Sequence, residues 1–417
     1  MTRGPVGATP ARVLAHRVLV LVDRDRRYLQ PTLDWALTRR QLAPGERAFA
    51  ARLAYGALQR KAYLDHVLAP LLRAPKKLPL EARWALRAGA YEKLFLKSPD
   101  YATVSQWVEI AKTSGKGLGG LVNAVLRRVE RLPAPPWIEA SIPRFLYERW
   151  ARFFQSTTFI SAFNEPAPLW VAAFPGAKER LSAQGIEWTP GPLPGTLAIQ
   201  GIGLRDIDAY RLGLIQPQNP ASLFATTLLG AGPGDRVLDL AGGAGIKAAW
   251  LAARGARVTS YDRDPNRQQS GAENLRRLGL EVTMKTRDLR EPLDEKAPLV
   301  LLDAPCTGTG TLRHHPEIRY RLEPKAIARA AKLQERLLET AAAATLPGGV
   351  LVYTVCSLTE EEGEAQIGNF LERHPEFHAE PIETPFRELR RKLGVYVSPE
   401  GGLDGFYYAK LRKRPAS

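Results

Sequence analysis

Apolar residues recur at helical spacing through the first third of the chain. Val13-Leu14…Val18-Leu19…Leu21-Val22 sets the pattern. Phe49…Leu53-Ala54…Ala57-Leu58, Leu64…Val67-Leu68…Leu71-Leu72 and Leu121-Val122…Val125-Leu126 repeat it. Pro31, Pro44-Gly45, Pro75, Pro79, Pro99 and the Gly115–Gly120 stretch interrupt it. Residues 1–131 are therefore expected to form an all-α domain, helical from about residue 11. Its basic side chains, Arg60, Lys61, Lys76, Lys77, Arg127 and Arg128 among them, are left outside.

The pattern then changes. Residues 132–143 are proline-rich and predict a stiff linker. Arg144–Phe154 predicts a short helix. Trp170–Phe174 and Leu197–Ile199 predict strands of a small α/β subdomain over 144–215. From Arg236 strands and helices alternate. Strands are expected at Arg236–Leu240, Ala256–Tyr261 and Glu281–Thr286, with a helix over 265–278. Two apolar runs, Pro298–Asp303 and Gly349–Val355, predict buried parallel strands, separated by an Ala-rich helix over 323–345. Gly405–Arg412 alternates like a final antiparallel strand. Residues 216–417 are thus expected as an α/β domain built on a doubly wound sheet.

Composition narrows the class. The chain has 417 residues and only two cysteines, which excludes a disulfide scaffold and fits a reducing compartment. It carries no apolar run of membrane-spanning length, and Met1–Pro5 lacks the pattern of a signal peptide. The expectation is a cytoplasmic protein without a membrane partner. Of the +16 net charge, most lies early: the first 140 residues hold 24 Lys and Arg against 11 acids. Such a domain attracts polyanions, with an affinity that falls steeply with salt. Charge placed for solubility or heat tolerance is the plainer alternative.

The chemistry sits at strand ends. Pro298-Leu-Val-Leu-Leu-Asp303 runs into Ala304-Pro305-Cys306-Thr307-Gly308, where the strand cannot continue. Gly349-Val-Leu-Val-Tyr353-Thr-Val-Cys356-Ser357 delivers the second thiol in the same way, and Thr359–Glu362 then reads as the capping box of a new helix. Both cysteines therefore reach the carboxyl edge of the sheet, where ligands of open α/β sheets bind. The glycine-rich turn Ala241-Gly242-Gly243-Ala244-Gly245-Ile246-Lys247 follows the first strand, and Asp262 ends the second about 20 residues on, the place of a ribose-binding carboxylate. Asp288 and Asp303 end the third and fourth strands. Three acids on one edge could hold a cationic, amine-bearing cofactor such as S-adenosylmethionine, or could be helix caps. The loop lacks dinucleotide spacing, which argues against a dehydrogenase. Six histidines without ligand spacing predict no metal site. Two thiols beside such a cofactor suggest methylation of a carbon that must first be made nucleophilic, such as carbon-5 of a pyrimidine.

The paired motifs Asp303–Gly308 and Tyr353–Ser357 resemble those of the RNA (cytosine-C5)-methyltransferases. Gln218–Ser222, Arg313–Arg319 and Asp404–Lys410 resemble further stretches of that family. Gly120–Arg128 and the helical domain around it are similar to NusB-type RNA-binding domains. Together they place the whole chain close to the bacterial Fmu/Sun group. The resemblance implies a Rossmann-like methyltransferase sheet behind a NusB-like domain, S-adenosylmethionine as cofactor, and small-subunit (16S) ribosomal RNA as substrate and partner of a monomer. It implies Cys356 as nucleophile, Cys306 as the group that assists release, and Asp303 at cofactor or base. Asp262 is expected at the ribose, Asp288 on the adenine side, and Ala241–Lys247 as the cofactor loop. Arg60, Lys61, Arg127, Arg128, Arg313 and Arg319 are expected to contact RNA. Three departures stand out. The loop reads Gly-Gly-Ala-Gly-Ile-Lys-Ala instead of Ala-Pro-Gly-Gly-Lys-Thr, Val355 replaces Thr before the nucleophile, and Asn219 replaces Asp. A DNA enzyme would instead use Cys306 as nucleophile, but the only Glu-Asn, Glu273-Asn274, lies upstream and too little chain follows Cys356 for a target-reading insertion. A non-catalytic ribosome-assembly protein with an inactive methyltransferase fold is the other alternative, supported by the altered loop.

Overall fold

A computed structural model describes residues 7–96, 98–200 and 203–416, so the reading of Met1–Pro5 lies outside the described residues. The chain forms two compact units. One takes the chain up to Glu148 together with Leu312–Leu322; the other takes Arg149–Thr311 and the chain from Glu323 onward.

The first unit is helical: α1 (Pro10–Arg24), α2 (Leu29–Thr38), α3 (Pro44–Gln59), α4 (Lys61–Leu68), α5 (Leu80–Tyr91), α6 (Asp100–Lys112) and α7 (Leu118–Arg128) enclose one apolar core. Prolines that break the periodicity turn out to start helices. Pro44 opens α3, while Pro79 and Pro99 cap α5 and α6, where a fixed φ and a missing N–H cost nothing. Trp84 and Trp107 are fully buried. Glu92, equally buried, accepts from Trp107 Nε1 at 2.9 Å and pairs with Arg12.

This unit extends past residue 131. A short α8 (Pro136–Glu139) lies within the expected linker, and Ser141 Oγ accepts from the Tyr63 amide at 3.1 Å. The Leu312–Leu322 segment folds into the same unit. Arg319, 2% exposed, donates to the carbonyls of Gln59 (2.8 Å), Ala140 (3.1 Å) and Leu312 (3.2 Å). Burial lowers the pKa of its guanidinium to about 10. Arg313 is also buried, and its carbonyl accepts from Gln59 Nε2. Arg313 and Arg319, both expected at RNA, thus lie buried, and the planar fork of Arg319 satisfies interior carbonyls. Arg60 and Lys61 are half-buried, Arg60 over the Phe95 ring and Lys61 beside Asp23 at 3.3 Å. Arg127 and Arg128 are exposed at the end of α7.

Helix α9 (Arg144–Phe154) spans the boundary at Glu148, and the second unit continues into a small antiparallel sheet. Its strands β1 (Leu169–Ala173), β2 (Trp188–Pro190), β3 (Thr196–Ile199) and β4 (Ile215–Pro217) lie in the order β2-β3-β1-β4 around a core of Val171, Leu181, Leu197 and Ile215. The larger sheet contains β5 (Arg236–Leu240), β6 (Arg257–Asp262), β7 (Thr283–Thr286), β8 (Ala297–Asp303), β9 (Thr345–Val355), β10 (Phe377–Glu380), β11 (Glu388–Arg391), β12 (Val395–Val397) and β13 (Phe406–Lys413). The order is β11-β12-β13-β9-β8-β5-β6-β7, with β10 beside β13. Strands β5 to β9 are parallel, and β13 runs antiparallel to β9. Since β5 pairs with β6 on one side and β8 on the other, a crevice opens at its carboxyl end. Helices Ile246–Ala252, Pro265–Leu278 and Pro324–Ala344 make the crossovers.

One expected element moves. The helix after Cys356 runs Glu364–Arg373, so Thr359–Glu362 is not its first turn.

The interior role of Arg319 predicts the outcome of Arg319→Ala. Three carbonyls would lose a charged donor, a loss of about 3 kcal/mol or more, read as a lower melting temperature. An unchanged melting temperature with weaker RNA binding would restore Arg319 as a surface contact.

Candidate active site

The crevice at the carboxyl ends of β5, β6 and β8 is a cavity of about 470 Å³. Ala241, Gly242, Gly243, Asp262, Asp288, Asp303, Cys306 and Cys356 all line it. Ala244, Gly245, Ile246 and Lys247 stand behind that lining. The sequence-expected strand-end acids and thiols are thus brought to one wall.

The loop after β5 is shaped by its backbone. Ala241, Gly243 and Gly245 have φ of +58°, +59° and +65°, a region costly for alanine. Gly242 leaves no room for a side chain: a Cβ there would lie 2.2 Å from both Asp239 Oδ2 and Ser260 Oγ. Asp262, 7% exposed, accepts from the amides of Gly243 and Asp264, each at 2.9 Å, and so ties the loop to the end of β6. Asp288 is held by Arg290 through its amide (3.0 Å) and guanidinium, which lowers the pKa of its carboxyl to about 2.

Behind the loop lies a group of charges. Lys247, nearly buried, donates to Asp303 Oδ2 at 2.5 Å. Asp239, fully buried, accepts from Ser260 Oγ at 2.9 Å. Burial pushes its pKa up to about 7, against the Ser260 hydrogen bond and the Lys247 charge.

The thiols meet within the same lining. Cys306 Sγ and Cys356 Sγ are 3.3 Å apart, both half-buried. The hydrogen bond to Cys356, then burial, then the charges of Cys356 and Glu362 raise the Cys306 pKa well above the usual thiol value. Cys306 accordingly holds its proton at neutral pH. The two departures outside the loop are benign in form. Val355 is buried in β9, and Asn219 caps Pro220–Thr227 by accepting from the Ala221 amide at 3.1 Å.

Sequence reasoning missed two features. Arg263, Arg267, Arg287 and Arg290 rim the cavity, and Leu333 and Leu337 form an apolar side of it. Glu362 was read as a helix cap but is a buried acceptor behind both cysteines. Among the described residues no cluster of three or more His, Cys, Asp or Glu could hold a metal, and no helix is long and apolar enough to cross a membrane.

Comparison with known proteins agrees with this geometry. Residues 226–412 match the family described as 16S rRNA methyltransferase RsmB/F, and residues 9–131 match the NusB family. The chain is 56% identical over 402 residues to ribosomal RNA small subunit methyltransferase B of Thermus thermophilus, covering 96% of this chain and 97% of that one. It is 28% identical to the probable ribosomal RNA small subunit methyltransferase B of Bacillus subtilis, covering 97% and 99%. The crystal structure of PH0851 superposes with a TM-score of 0.82 at 25% identity, covering 99% of this chain and all of that one.

The state of Asp239 has a pH signature. Its folded value, about 7, lies above its ordinary 3.8, so the folded chain binds the extra proton between them. The associated stability is full below the ordinary value and is lost as pH rises through about 7. Asp239→Asn should flatten the fall in melting temperature between about pH 4 and pH 7. Parallel profiles for parent and variant would contradict the assignment.

Proposed function

The chain belongs to the 16S rRNA methyltransferase RsmB/F family, and on that premise we propose that it methylates carbon-5 of a cytosine in small-subunit ribosomal RNA through a cysteine adduct. The observation that carries this reading is the 3.3 Å approach of Cys306 and Cys356 in the wall of a cavity lined by three carboxylates. The residues fit S-adenosylmethionine. Asp262, in the cavity lining, suits a ribose diol, and Asp288 suits the adenine side. The loop Ala241–Gly243 lets backbone approach the ligand, and Asp303 offers a carboxylate to positive charge. When bound, the cofactor supplies an electrophilic methyl group.

The protein's own groups do the rest. The Cys356 thiolate adds to carbon-6, forming a sulfur–carbon bond and leaving carbon-5 nucleophilic. Asp303, steadied by Lys247, lines the same cavity as the thiols and is suited to assist at ring N3. After methyl transfer the carbon-5 proton passes to water, its electron pair restores the 5,6 double bond, the sulfur–carbon-6 bond breaks, and Cys356 departs with the pair of that broken bond as thiolate. Cys306, the protonated thiol beside it, is suited to donate to that departing sulfur. The basic face of the helical unit, with Arg127 and Arg128 exposed, supplies the electrostatic hold on RNA.

Two experiments follow. Incubated with substrate RNA and S-adenosylmethionine, Cys356→Ala should neither methylate nor form an adduct. Cys306→Ala should accumulate a covalent protein–RNA band on a denaturing gel. The reverse pattern would make Cys306 the nucleophile. Changing both Arg127 and Arg128 to Glu should weaken RNA binding and reduce the slope of log affinity against log salt by about 2; an unchanged slope would remove them from the interface.

A further inference from the structure

Glu362 is fully buried and no ion pair among the described residues reaches it. Its carboxylate instead takes five neutral donors. Oε1 accepts from the Thr307 amide at 2.8 Å and Gln334 Nε2 at 3.0 Å. Oε2 accepts from Thr307 Oγ1 at 2.5 Å, Ser357 Oγ at 2.6 Å and Thr359 Oγ1 at 2.9 Å.

The distribution of these donors is informative. Thr307 directly follows Cys306, and Ser357 directly follows Cys356. Gln334 also donates to the carbonyl of Pro305, at 3.1 Å, so the turn before Cys306 is held from the same point. The Glu362 carbonyl accepts from Tyr353 Oη at 2.7 Å, which binds it back to the strand that carries Cys356. Thr309 Oγ1 and Ser357 Oγ, 2.9 Å apart, close the ring between the two turns. A buried carboxylate without a cation costs several kcal/mol of desolvation, and an amide of the same shape would avoid that cost. Its retention at this position calls for a role that needs both the reach and the charge.

We propose that Glu362 is the positioning residue of the two-thiol site, fixing the turns behind Cys306 and Cys356 so that their sulfurs stand at working distance. This rests on the two-cysteine reading above. Its charge adds to the causes that keep the proton on Cys306. Glu362 itself touches neither cofactor nor base.

The test uses the full chain with Glu362→Gln, which preserves size and removes charge. S-adenosylmethionine affinity by calorimetry should stay within about twofold, because Glu362 lies outside the cofactor cavity. The RNA KM should change little, while kcat falls on the order of 100-fold, as expected when reacting groups are displaced by a fraction of an ångström to an ångström. Alkylation of Cys306 by iodoacetamide, followed by peptide mass spectrometry, should shift to lower pH. Glu362→Asp keeps the charge but shortens the reach, so its alkylation profile should follow the parent while kcat remains low. If Glu362→Gln does not fold, Thr307→Val removes one donor from outside, and should lower kcat in the same direction with cofactor affinity intact. A kcat within about threefold of the parent, with an unmoved Cys306 profile, overturns the proposal. Methylation by Cys356→Ala would instead sink the two-cysteine reading itself, whatever Glu362 does.

Discussion

The parallel pairing of β8 with β9 is the constraint on which the candidate site depends. Leu302 lies opposite Tyr353 and Asp303 opposite Thr354, and the Ala304 amide extends the ladder to the Thr354 carbonyl at 3.0 Å. Both strands therefore end at the same level. The turns that follow must leave the sheet side by side, carrying Cys306 and Cys356 out together. Apolar side chains such as Val300, Leu301, Leu351 and Val352 are buried in those strands and hold the register. A slip of one residue would turn these side chains to the opposite face and separate the thiols.

Polar groups at this edge are then arranged against a cost. Asp239, Lys247 and Glu362 are all buried, and each would be expensive alone. Asp239 is brought toward neutrality, Lys247 is paired with Asp303, and Glu362 is saturated with hydrogen-bond donors. Three solutions to one desolvation problem thus surround a single cavity. Further out the cost vanishes: the rim arginines are exposed, and Arg290 pairs with Asp288 in solvent, where such pairs contribute little to stability.

Much of this was legible along the chain because it is locally encoded. The apolar runs before Asp303 and Cys356 define buried strands, and the glycines after Leu240 define the loop. Ala241–Gly243, Asp262, Asp288 and Asp303 converge because all sit at strand ends of one sheet. What was not legible depends on distant partners. Arg319 looked like a surface cation, yet its acceptors, Gln59 and Ala140, lie far away in sequence. Glu362 has the local spacing of a capping residue after Thr359, and only the folded turns reveal donors on Thr307 and Gln334. Strands β10, β11 and β12 are short, and Leu389 is the one apolar residue of Glu388–Arg391, so no alternation announced it. Where partners are close in sequence, pattern suffices; where they are close only in space, it misleads.

In the proposed mechanism one particular sulfur bonds to the target ring. RNA carrying 5-fluorocytosine at the methylated position has no carbon-5 proton to lose, so the adduct cannot resolve. After incubation with the intact protein and S-adenosylmethionine, digestion and mass spectrometry locate the modified nucleotide on a peptide. The account predicts a methylated fluorocytosine attached to Cys356, with Cys306 unmodified. Attachment at Cys306, or methyl transfer to unmodified RNA without any trapped adduct on the fluorinated one, would contradict it.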